Sequence, residues 1–442
     1  MKRSIEKELI KWKNQEERYP LIIRGARQVG KSYLIESFGG ENFENLVTVN
    51  FELQSNLKKC FDSLEPREIT NKLQALLNVK IKESKTLLFL DEIQECPTAI
   101  SSLRYFKEKM PQLAVIAAGS LLEFALRSAD FKMPVGRIHF LYLEPLSFAE
   151  FLEASGNGQL RQYLSNLALT DNIDDVTHDK LLELVRLYMI LGGMPAILNE
   201  YFRSSDLANC QNIQSALIQT YRSDFGKYAS FAQHKYLLKV MEAVPRSIGQ
   251  RVKYVKIDPE ARSRDLKTAV EMLTMAGIIK TVYYSKASGL PLGAGINENK
   301  FRFNFLDVGL MQNTCGLAAE LAVGKNLMQI NSGAVAEQFV GQELRAYSDK
   351  YQPAQLFFWA RDKRGSMAEI DFVVSVDSEI FPVEVKAGKT GRLKSARLFI
   401  QEKGARFGIR ISQEKLSYCD NILSIPLYMV EQLPKLARSA GK

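Results

Sequence analysis

The sequence predicts a multidomain α/β protein, and three observations lead to this fold class. The chain has 442 residues, which is more than one ordinary core accommodates. Over about the first 150 residues, short apolar runs alternate with helix-length segments, as in a parallel sheet covered on both faces. A helical stretch and a second set of strands and helices follow, so we expect several domains.

The composition excludes several classes of protein. Hydrophobic residues make up 46% and charged residues 25%, which is typical of a globular protein. No apolar run approaches the roughly 18 to 20 residues of a membrane helix, and residues 1–8 lack the apolar run of a secretory signal. We therefore expect no membrane partner.

The five cysteines and three histidines are dispersed, and no Cys-x-x-Cys pair is present. This pattern predicts reduced thiols in a cytoplasm, without a zinc site or a disulfide framework. The formal net charge of +9 permits a nucleic-acid or acidic partner without specifying one.

The first domain is expected over residues 1–150. Its sheet is predicted from five apolar runs, at residues 21–23, 46–49, 87–90, 113–117 and 138–143. A helical lid is expected over residues 151–236, because the period there becomes helical.

Two further domains are expected. Residues 237–325 read as helix, strand, Gly-rich turn and strand, which is the order of a winged helix. From residue 326 to 442 the order is helix, strand, hairpin, strand and helix, which predicts a separate α/β unit.

A phosphate-binding loop connects the first predicted strand to the next helix. Its residues fit G-x-x-x-x-G-K-[ST] in full: Gly25, Ala26, Arg27, Gln28, Val29, Gly30, Lys31 and Ser32. The backbone N–H groups and the helix N-terminus favour phosphate, Lys31 would reach the β- and γ-phosphates, and Ser32 would hold Mg²⁺. The loop predicts ATP and Mg²⁺ as cofactors of an ATPase.

An apolar strand at residues 87–90 ends in Asp91 and Glu92. Ligands of open α/β sheets bind at the carboxyl ends of strands, so Asp91 is expected to act on Mg²⁺ and Glu92 to act as general base for the attacking water. An N-cap pair is the alternative interpretation. The P-loop about 60 residues earlier favours the catalytic one.

Two more residues are candidates for the nucleotide site. Ser120 follows the strand at 113–117 and would contact the γ-phosphate or the lytic water, or else cap a helix. Arg137 would act as an arginine finger on its own or a neighbouring subunit, or else lie in a solvated loop. The second interpretation of Arg137 is favoured.

Together, the P-loop, Asp91–Gln94, Gly136-Arg137 and the Pro145–Phe151 segment resemble an AAA-type family of prokaryotic ATP-binding proteins, of the archaeal-ATPase and STAND-like branch. Gly193-Met194-Pro195 matches the Gly-x-Pro signature of that family. Residues 305–310 and 381–386 resemble its C-terminal domain of unknown function. The resemblance implies ATP binding.

A second group of functional candidates lies near the C-terminus. Asp371 sits in one predicted strand, and Glu384 and Lys386 share one face of the next. Asp371 and Glu384 would bind a metal ion, Lys386 would activate water, and Glu337 would add a third carboxylate. This set resembles the D…(D/E)-x-K core of restriction-endonuclease-like folds, with Ile370 in place of the usual proline.

Two basic runs suit a polyanionic partner, with solvated helix faces as the alternative for both and a winged helix that serves only interdomain packing as the alternative for the second. Residues 389–410 contain seven basic residues and one acid, and a second cluster lies between Arg246 and Lys267. The main hypothesis is an ATPase whose nucleotide state controls a DNA- or other nucleic-acid-directed C-terminal domain, with possible nuclease activity. The alternative is an ATP-dependent switch or assembly factor whose C-terminal domain binds protein and is catalytically inactive. A homo-oligomer is a further expected assembly of the chain.

Overall fold

A computed structural model describes residues 1–120, 122–126, 136–227, 229–316, 332–361, 368–388 and 393–440. The chain divides into two compact units. The first comprises residues 1–144, 275–277 and 349–354, and the second comprises 145–274, 278–348 and 355–442. Within the described ranges, no helix is long and apolar enough to cross a bilayer.

The first unit is built on a parallel five-stranded sheet. Its strands are β1 (Leu21–Arg24), β2 (Asn45–Asn50), β3 (Thr86–Asp91), β4 (Ala114–Gly119) and β5 (His139–Tyr142), in the order β2-β3-β4-β1-β5. The accompanying helices are α1 (Glu6–Lys13), α2 (Lys31–Asn42), α3 (Pro66–Leu77), α4 (Pro97–Lys109) and α5 (Leu122–Leu126).

All five predicted strands of this sheet are confirmed. Every residue of β3 and β4 is buried, because the sheet is covered on both faces, and this is why each appears in the sequence as a continuous apolar run. The strand order places β4 between β1 and β3, so the carboxyl ends of all three meet at one edge.

The second unit begins with helices. They are α6 (Phe148–Ala154), α7 (Gly158–Asn166), α8 (Asp175–Leu191), α9 (Pro195–Ser204), α10 (Leu207–Asp224), α11 (Phe231–Arg246), α12 (Tyr254–Ile257) and α13 (Ser263–Met275), the last of which ends in the first unit. The predicted helical character of residues 151–236 is confirmed.

A mixed sheet of eight strands follows. The strands are β6 (Ile279–Ser285), β7 (Ile296–Phe305), β8 (Leu356–Ala360), β9 (Glu369–Val376), β10 (Glu379–Val385), β11 (Gly408–Ser412), β12 (Ser417–Cys419) and β13 (Ile422–Pro426), in the order β12-β13-β11-β10-β9-β8-β6-β7. The remaining helices are α14 (Val308–Thr314), α15 (Ser332–Ala346), α16 (Lys394–Lys403) and α17 (Leu433–Ser439).

The sheet joins two segments that the sequence predicted as separate domains. The antiparallel hairpin β6–β7 belongs to the expected winged helix, yet β6 pairs in parallel with β8, with Val282 opposite Leu356. The expectation of a separate α/β unit from residue 326 therefore differs from the observed sheet. The physical reason is that β8 fills the open edge of the hairpin.

Buried Asp307 holds together the segments that carry the family-like motifs of the second unit. Its carboxylate accepts from the backbone N–H of Gly193 at 2.6 Å and of Leu310 at 3.0 Å, and Gln342 donates to it at 3.2 Å. A Cβ at Gly193 would lie 2.1 Å from the Leu146 carbonyl oxygen. The glycine is thus required by a close backbone approach.

Candidate functional site

The P-loop connects β1 to α2 at the carboxyl edge of the first sheet. Gly25 follows β1, and a Cβ there would lie 2.3 Å from the carbonyl oxygen of Leu143, so only glycine fits. Gly30, with φ of 94°, is the left-handed residue that begins α2. These two glycines allow the P-loop to place the N-terminus of α2 at the carboxyl edge of the first sheet.

Lys31 lies in the first turn of α2 and is 7% exposed. Its Nζ donates to the carbonyl oxygens of Gly25 at 3.0 Å and Ala26 at 2.9 Å. Burial lowers the pKa of Lys31 to about 8, although Glu92 and Asp91 act in the opposite direction. The ammonium group is therefore held inside the loop at a high desolvation cost.

The Asp91 carboxylate, at the end of β3, faces the P-loop helix. The Ser32 hydroxyl donates to its Oδ1 and Oδ2 at 3.1 and 3.0 Å, and Asn50 Nδ2 donates to Oδ2 at 3.0 Å. Burial raises the pKa of Asp91. A hydroxyl and a carboxylate within hydrogen-bonding distance are oxygen donors that suit Mg²⁺, so the predicted pair fits this ion.

Glu92 adopts a left-handed backbone conformation, with φ of 49°. Its Oε2 accepts from Gln94 Nε2 at 2.7 Å and from the Ser120 hydroxyl at 3.4 Å. A Cβ at Gly119 would lie 2.4 Å from Gln94 Oε1, so Gly119 makes room for the amide. The structure thus brings the two predicted residues Glu92 and Ser120 together and fixes one carboxylate oxygen.

Sequence reasoning missed three residues of this site. Arg3 donates from Nη1 to the carbonyl oxygen of Val29 at 3.1 Å and from Nη2 to that of Glu144 at 2.6 Å. The other two are Asn50 and Gln94. Asn50 is the polar residue that ends an apolar strand, a signal equal to that of Asp91, whereas nothing in the sequence connects Arg3 to the P-loop.

Arg137 lies at the opposite edge of the sheet from the P-loop. It precedes β5, whose first residue His139 pairs with Leu21 at the start of β1, whereas the P-loop follows Arg24 at the end of β1. The Arg137 guanidinium donates from Nε to Glu108 at 3.1 Å and is 47% exposed. The structure does not bring Arg137 to the nucleotide site of its own chain.

In the second unit, β9 and β10 form the predicted hairpin. Asp371 Oδ2 accepts from the Val385 N–H at 2.8 Å, which places Asp371 beside Glu384 and Lys386. Lys386 Nζ lies 3.7 Å from Glu384 Oε1, while Glu384 Oε2 is buried and has no hydrogen-bond partner among the residues that the structure describes. Burial raises the pKa of Glu384 to about 7.

Arg302 on β7 is an unpredicted member of this group. Its Nη1 lies 2.9 Å from Glu337 Oε1 and 3.6 Å from Asp371 Oδ1, and its Nη2 lies 2.7 Å from Glu369 Oε1. Over the described ranges, no three Asp, Glu, His or Cys side chains form a metal-binding group. A guanidinium that the sequence did not indicate thus lies beside Asp371 and Glu337, and the metal site expected from Asp371, Glu384 and Glu337 stays a prediction.

The basic run at residues 389–410 is partly neutralised. Arg397 pairs with Asp420 at 3.9 Å and Arg406 pairs with Glu379 at 3.1 Å. Lys389 and Arg392 lie outside the described residues.

Comparisons with known proteins agree with the geometry of the first unit. Residues 17–152 match the family model of the AAA domain, so this part of the chain is an AAA-type P-loop ATPase domain. Residues 182–321 and 332–429 match two domains of unknown function, DUF8612 and DUF4143. No curated protein matches the chain.

Several solved structures are similar in part. A Walker-type ATPase of Pyrococcus abyssi is 17% identical, with a TM-score of 0.46 over 71% of this chain and 95% of that one. The Aeropyrum pernix ORC2 protein is 12% identical, with a TM-score of 0.32 over 72% and 92% of the two chains. The Thermotoga maritima RuvB Holliday junction branch migration motor is 15% identical, with a TM-score of 0.29 over 62% and 88%.

Proposed function

We propose that the protein hydrolyses ATP with Glu92 as general base. The observation that supports this most directly is the hydrogen-bonded group at the carboxyl edge of the first sheet. One carboxylate, Asp91, accepts from the P-loop hydroxyl of Ser32, and the next, Glu92, is oriented by Gln94 and Ser120. In this proposal Asp91 would serve the metal ion and Glu92 the lytic water.

The chemistry divides among these residues. Lys31 and the N–H groups of the P-loop would bind the phosphates, and Ser32 and Asp91 would hold Mg²⁺, which would supply positive charge beside the phosphates. Glu92 accepts the proton of the water that attacks the γ-phosphorus, while the bond from that phosphorus to the β–γ bridging oxygen breaks and ADP leaves with the electron pair. Its orientation matters because proton transfer requires hydrogen-bond reach to that water.

The test compares Glu92→Gln with Glu95→Gln. Glu95 is a suitable control because it lies three residues away, is 47% exposed and pairs only with Lys58, at 3.5 Å, in the described chain. We expect Glu92→Gln to reduce kcat about 10²- to 10⁴-fold while ATP binding persists. Unchanged turnover in Glu92→Gln would contradict the proposal.

A second candidate function concerns the β9–β10 hairpin. The group of Asp371, Glu384 and Lys386 supports phosphodiester cleavage, because Lys386 lies beside Glu384, whose buried Oε2 has no hydrogen-bond partner in the described part of the chain. Arg302 would have to release Asp371 before that carboxylate held a metal ion. The test is cleavage of single- and double-stranded DNA with Mg²⁺ or Mn²⁺, which Lys386→Ala should abolish. Lys180→Ala, which removes an exposed lysine of α8 outside both basic runs, is the control.

A homo-oligomer is part of the proposal, since the edge position of Arg137 leaves a neighbouring copy as its route to a nucleotide. Sedimentation of the full chain with ATP, comparing Glu92→Gln with Glu92→Gln/Arg137→Ala, tests this. A monomer under all conditions would refute it.

A further inference from the structure

A cavity of about 420 Å³ lies in the second unit, and its lining does not include Asp371, Glu384 or Lys386. It is formed by the C-terminal half of α11, the loop after it, α12 and one residue of β7. The lining residues are Lys239, Glu242, Ala243, Arg246, Ser247, Gln250, Arg251, Val252, Lys253, Lys256, Ile257, Asp258 and Phe303. Basic side chains outnumber acidic ones in this lining.

Two of the basic residues that line the cavity are already neutralised. Lys239 forms an ion pair with Asp258, and Arg251 Nε lies 3.0 Å from Glu369 Oε1. The acid Glu242 is likewise paired, with Arg222 at 3.4 Å. The charge balance of the cavity therefore depends on its remaining cations.

Those cations are Arg246, Lys253 and Lys256. All three are exposed to solvent, and none makes an ion pair with any part of the chain that the structure describes. Three cations around one concavity repel each other unless an anion lies between them. The cavity thus has the electrostatics of an anion site without an internal counter-ion.

The segment that carries these lysines is held in place. The Val252 N–H donates to the Phe301 carbonyl at 2.9 Å, and the ion pair between Lys239 and Asp258 connects the end of α12 to α11. Tyr254 packs on Phe301 with ring centroids 6.2 Å apart. A fixed backbone reduces the entropy lost when a ligand orders the side chains.

We infer that this cavity binds the phosphodiester backbone of a nucleic acid. The Arg246 guanidinium suits bidentate contact with phosphate, and the two lysines supply further point charges. The positive surface also continues along the chain. Between residues 246 and 267 there are seven basic and three acidic residues, including exposed Arg262, Arg264 and Lys267 on and before α13. A run of this length suits a chain of phosphates better than a single one.

The inference depends neither on ATP hydrolysis nor on cleavage at the β9–β10 hairpin. The experiment is fluorescence anisotropy of the full chain with a labelled 20-nucleotide single strand and the corresponding duplex, without nucleotide or divalent metal. The test variant is Arg246→Gln/Lys253→Gln/Lys256→Gln. The control is Lys59→Gln/Arg67→Gln/Lys80→Gln, which removes the same types and number of exposed cations from the first unit.

For the wild type we expect a salt-dependent affinity. Three phosphate contacts predict a slope of log K against log salt of about −2 for a single strand, which is about 20-fold between 50 and 200 mM salt. The test variant should lose at least tenfold in affinity at 50 mM salt and most of this slope, independently of the base sequence. The control variant should bind like the wild type.

Equal losses in the two triple variants would overturn the inference, since the effect would then be one of net charge. Two competitors separate the chemistry of the ligand. Poly-glutamate that displaces DNA at equal charge would show a carboxylate site and refute the assignment, as would displacement by micromolar pyrophosphate, which would show a small-phosphate site. If the triple variant melts below the control, Lys256→Glu alone replaces it and should still weaken binding severalfold.

Discussion

Lys31 is a buried cation whose direct hydrogen-bond partners are two neutral carbonyl oxygens. Burial holds its pKa at about 8, whereas the ordinary value is 10.5. Binding of a phosphate needs the ammonium form, and the bound phosphate would raise the pKa again. Protonation and nucleotide affinity are therefore linked at this residue.

We expect ATP affinity to fall as the pH rises above about 8, by up to tenfold per pH unit, because the free protein must then take up a proton in order to bind. Titration with a fluorescent ATP analogue between pH 7.5 and 9.5 measures this. Lys31→Arg remains charged and should show a weaker but flat profile. Parallel profiles in both proteins would rule out Lys31 as the titrating group.

Arg302 is 3% exposed and neutralises carboxylates that would otherwise repel each other. Replacing it with methionine should lower the free energy of unfolding by about 3–5 kcal/mol, because Glu337 and Asp371 lose their counter-charge inside the protein. Urea unfolding measures the change. Arg251 is 44% exposed and, like Arg302, pairs with Glu369. Arg251→Met should therefore lower the free energy of unfolding by less than about 1 kcal/mol.

The double variant Arg302→Met/Glu337→Gln should recover part of this loss, since it removes one of the two carboxylates left without a counter-charge.

The Arg302 contacts also show what could not be predicted from the sequence. The contacts join Arg302 on β7 to Glu337 on α15, 35 positions away, and to Glu369 on β9, 67 positions away. Only the packing of a helix and two non-adjacent strands of the sheet brings such residues together.

At the scale of elements, α15 contributes an unusual row of buried polar groups. Glu343 is 1% exposed, accepts from the Phe148 N–H at 3.0 and 3.1 Å, and accepts from the Tyr347 hydroxyl at 2.6 Å. Burial raises the pKa of Glu343 to about 8, and the neighbouring acids Glu431 and Glu150 add to the effect. A helix with this composition is not recognisable as buried from its hydrophobic period alone.

The raised pKa of Glu343 has a definite sign for stability. A carboxyl that binds its proton more tightly in the folded state stabilises the fold at low pH, and that stability is lost as the pH rises between about 4.5 and 8. As the pH rises through this range, the free energy of unfolding should decline more steeply in the wild type than in Glu343→Gln. The difference between the two slopes should be up to about 1.4 kcal/mol per pH unit. Chemical denaturation across this range tests it, with exposed Glu183→Gln as control.

Strands were predicted well where burial determines the residue type at every position. β3 and β4 appear in the sequence as unbroken apolar runs because both faces are covered. The P-loop and Asp91 were predictable because the chemistry of phosphate and Mg²⁺ limits the residues that can follow a strand. The pairing of β6 with β8 was not, since these strands are separated by more than 70 residues and no local pattern encodes their contact.

At the scale of the whole molecule, the nucleotide residues Gly25–Ser32, Asp91, Glu92 and Ser120 all belong to the first unit. A ligand that binds only the folded state stabilises it by mass action. We therefore expect a non-hydrolysable ATP analogue with Mg²⁺, at 100 times its Kd, to add about 2.7 kcal/mol to the unfolding of that unit.

Hydrogen exchange read out by peptide measures this effect unit by unit. Protection should rise in peptides from β1, α2 and β3, and Lys31→Ala should abolish the rise. An equal gain in Lys31→Ala would show that the analogue binds elsewhere. Asp62→Ala, which changes an exposed acid of the same unit, is the control.

The contact between Asp307 and Gly193 also has an evolutionary consequence. A side chain at Gly193 would meet the Leu146 carbonyl, and without Asp307 the Gly193 N–H would lose its acceptor, so neither position tolerates change alone. Among descendants of a common ancestor, residues 193 and 307 should therefore both stay unchanged, because no substitution at 307 removes the clash between a side chain at 193 and the Leu146 carbonyl. A lineage that lost Asp307 would need another acceptor for the Gly193 N–H, and the side chain at position 342, which contacts Asp307, is the nearest place for one.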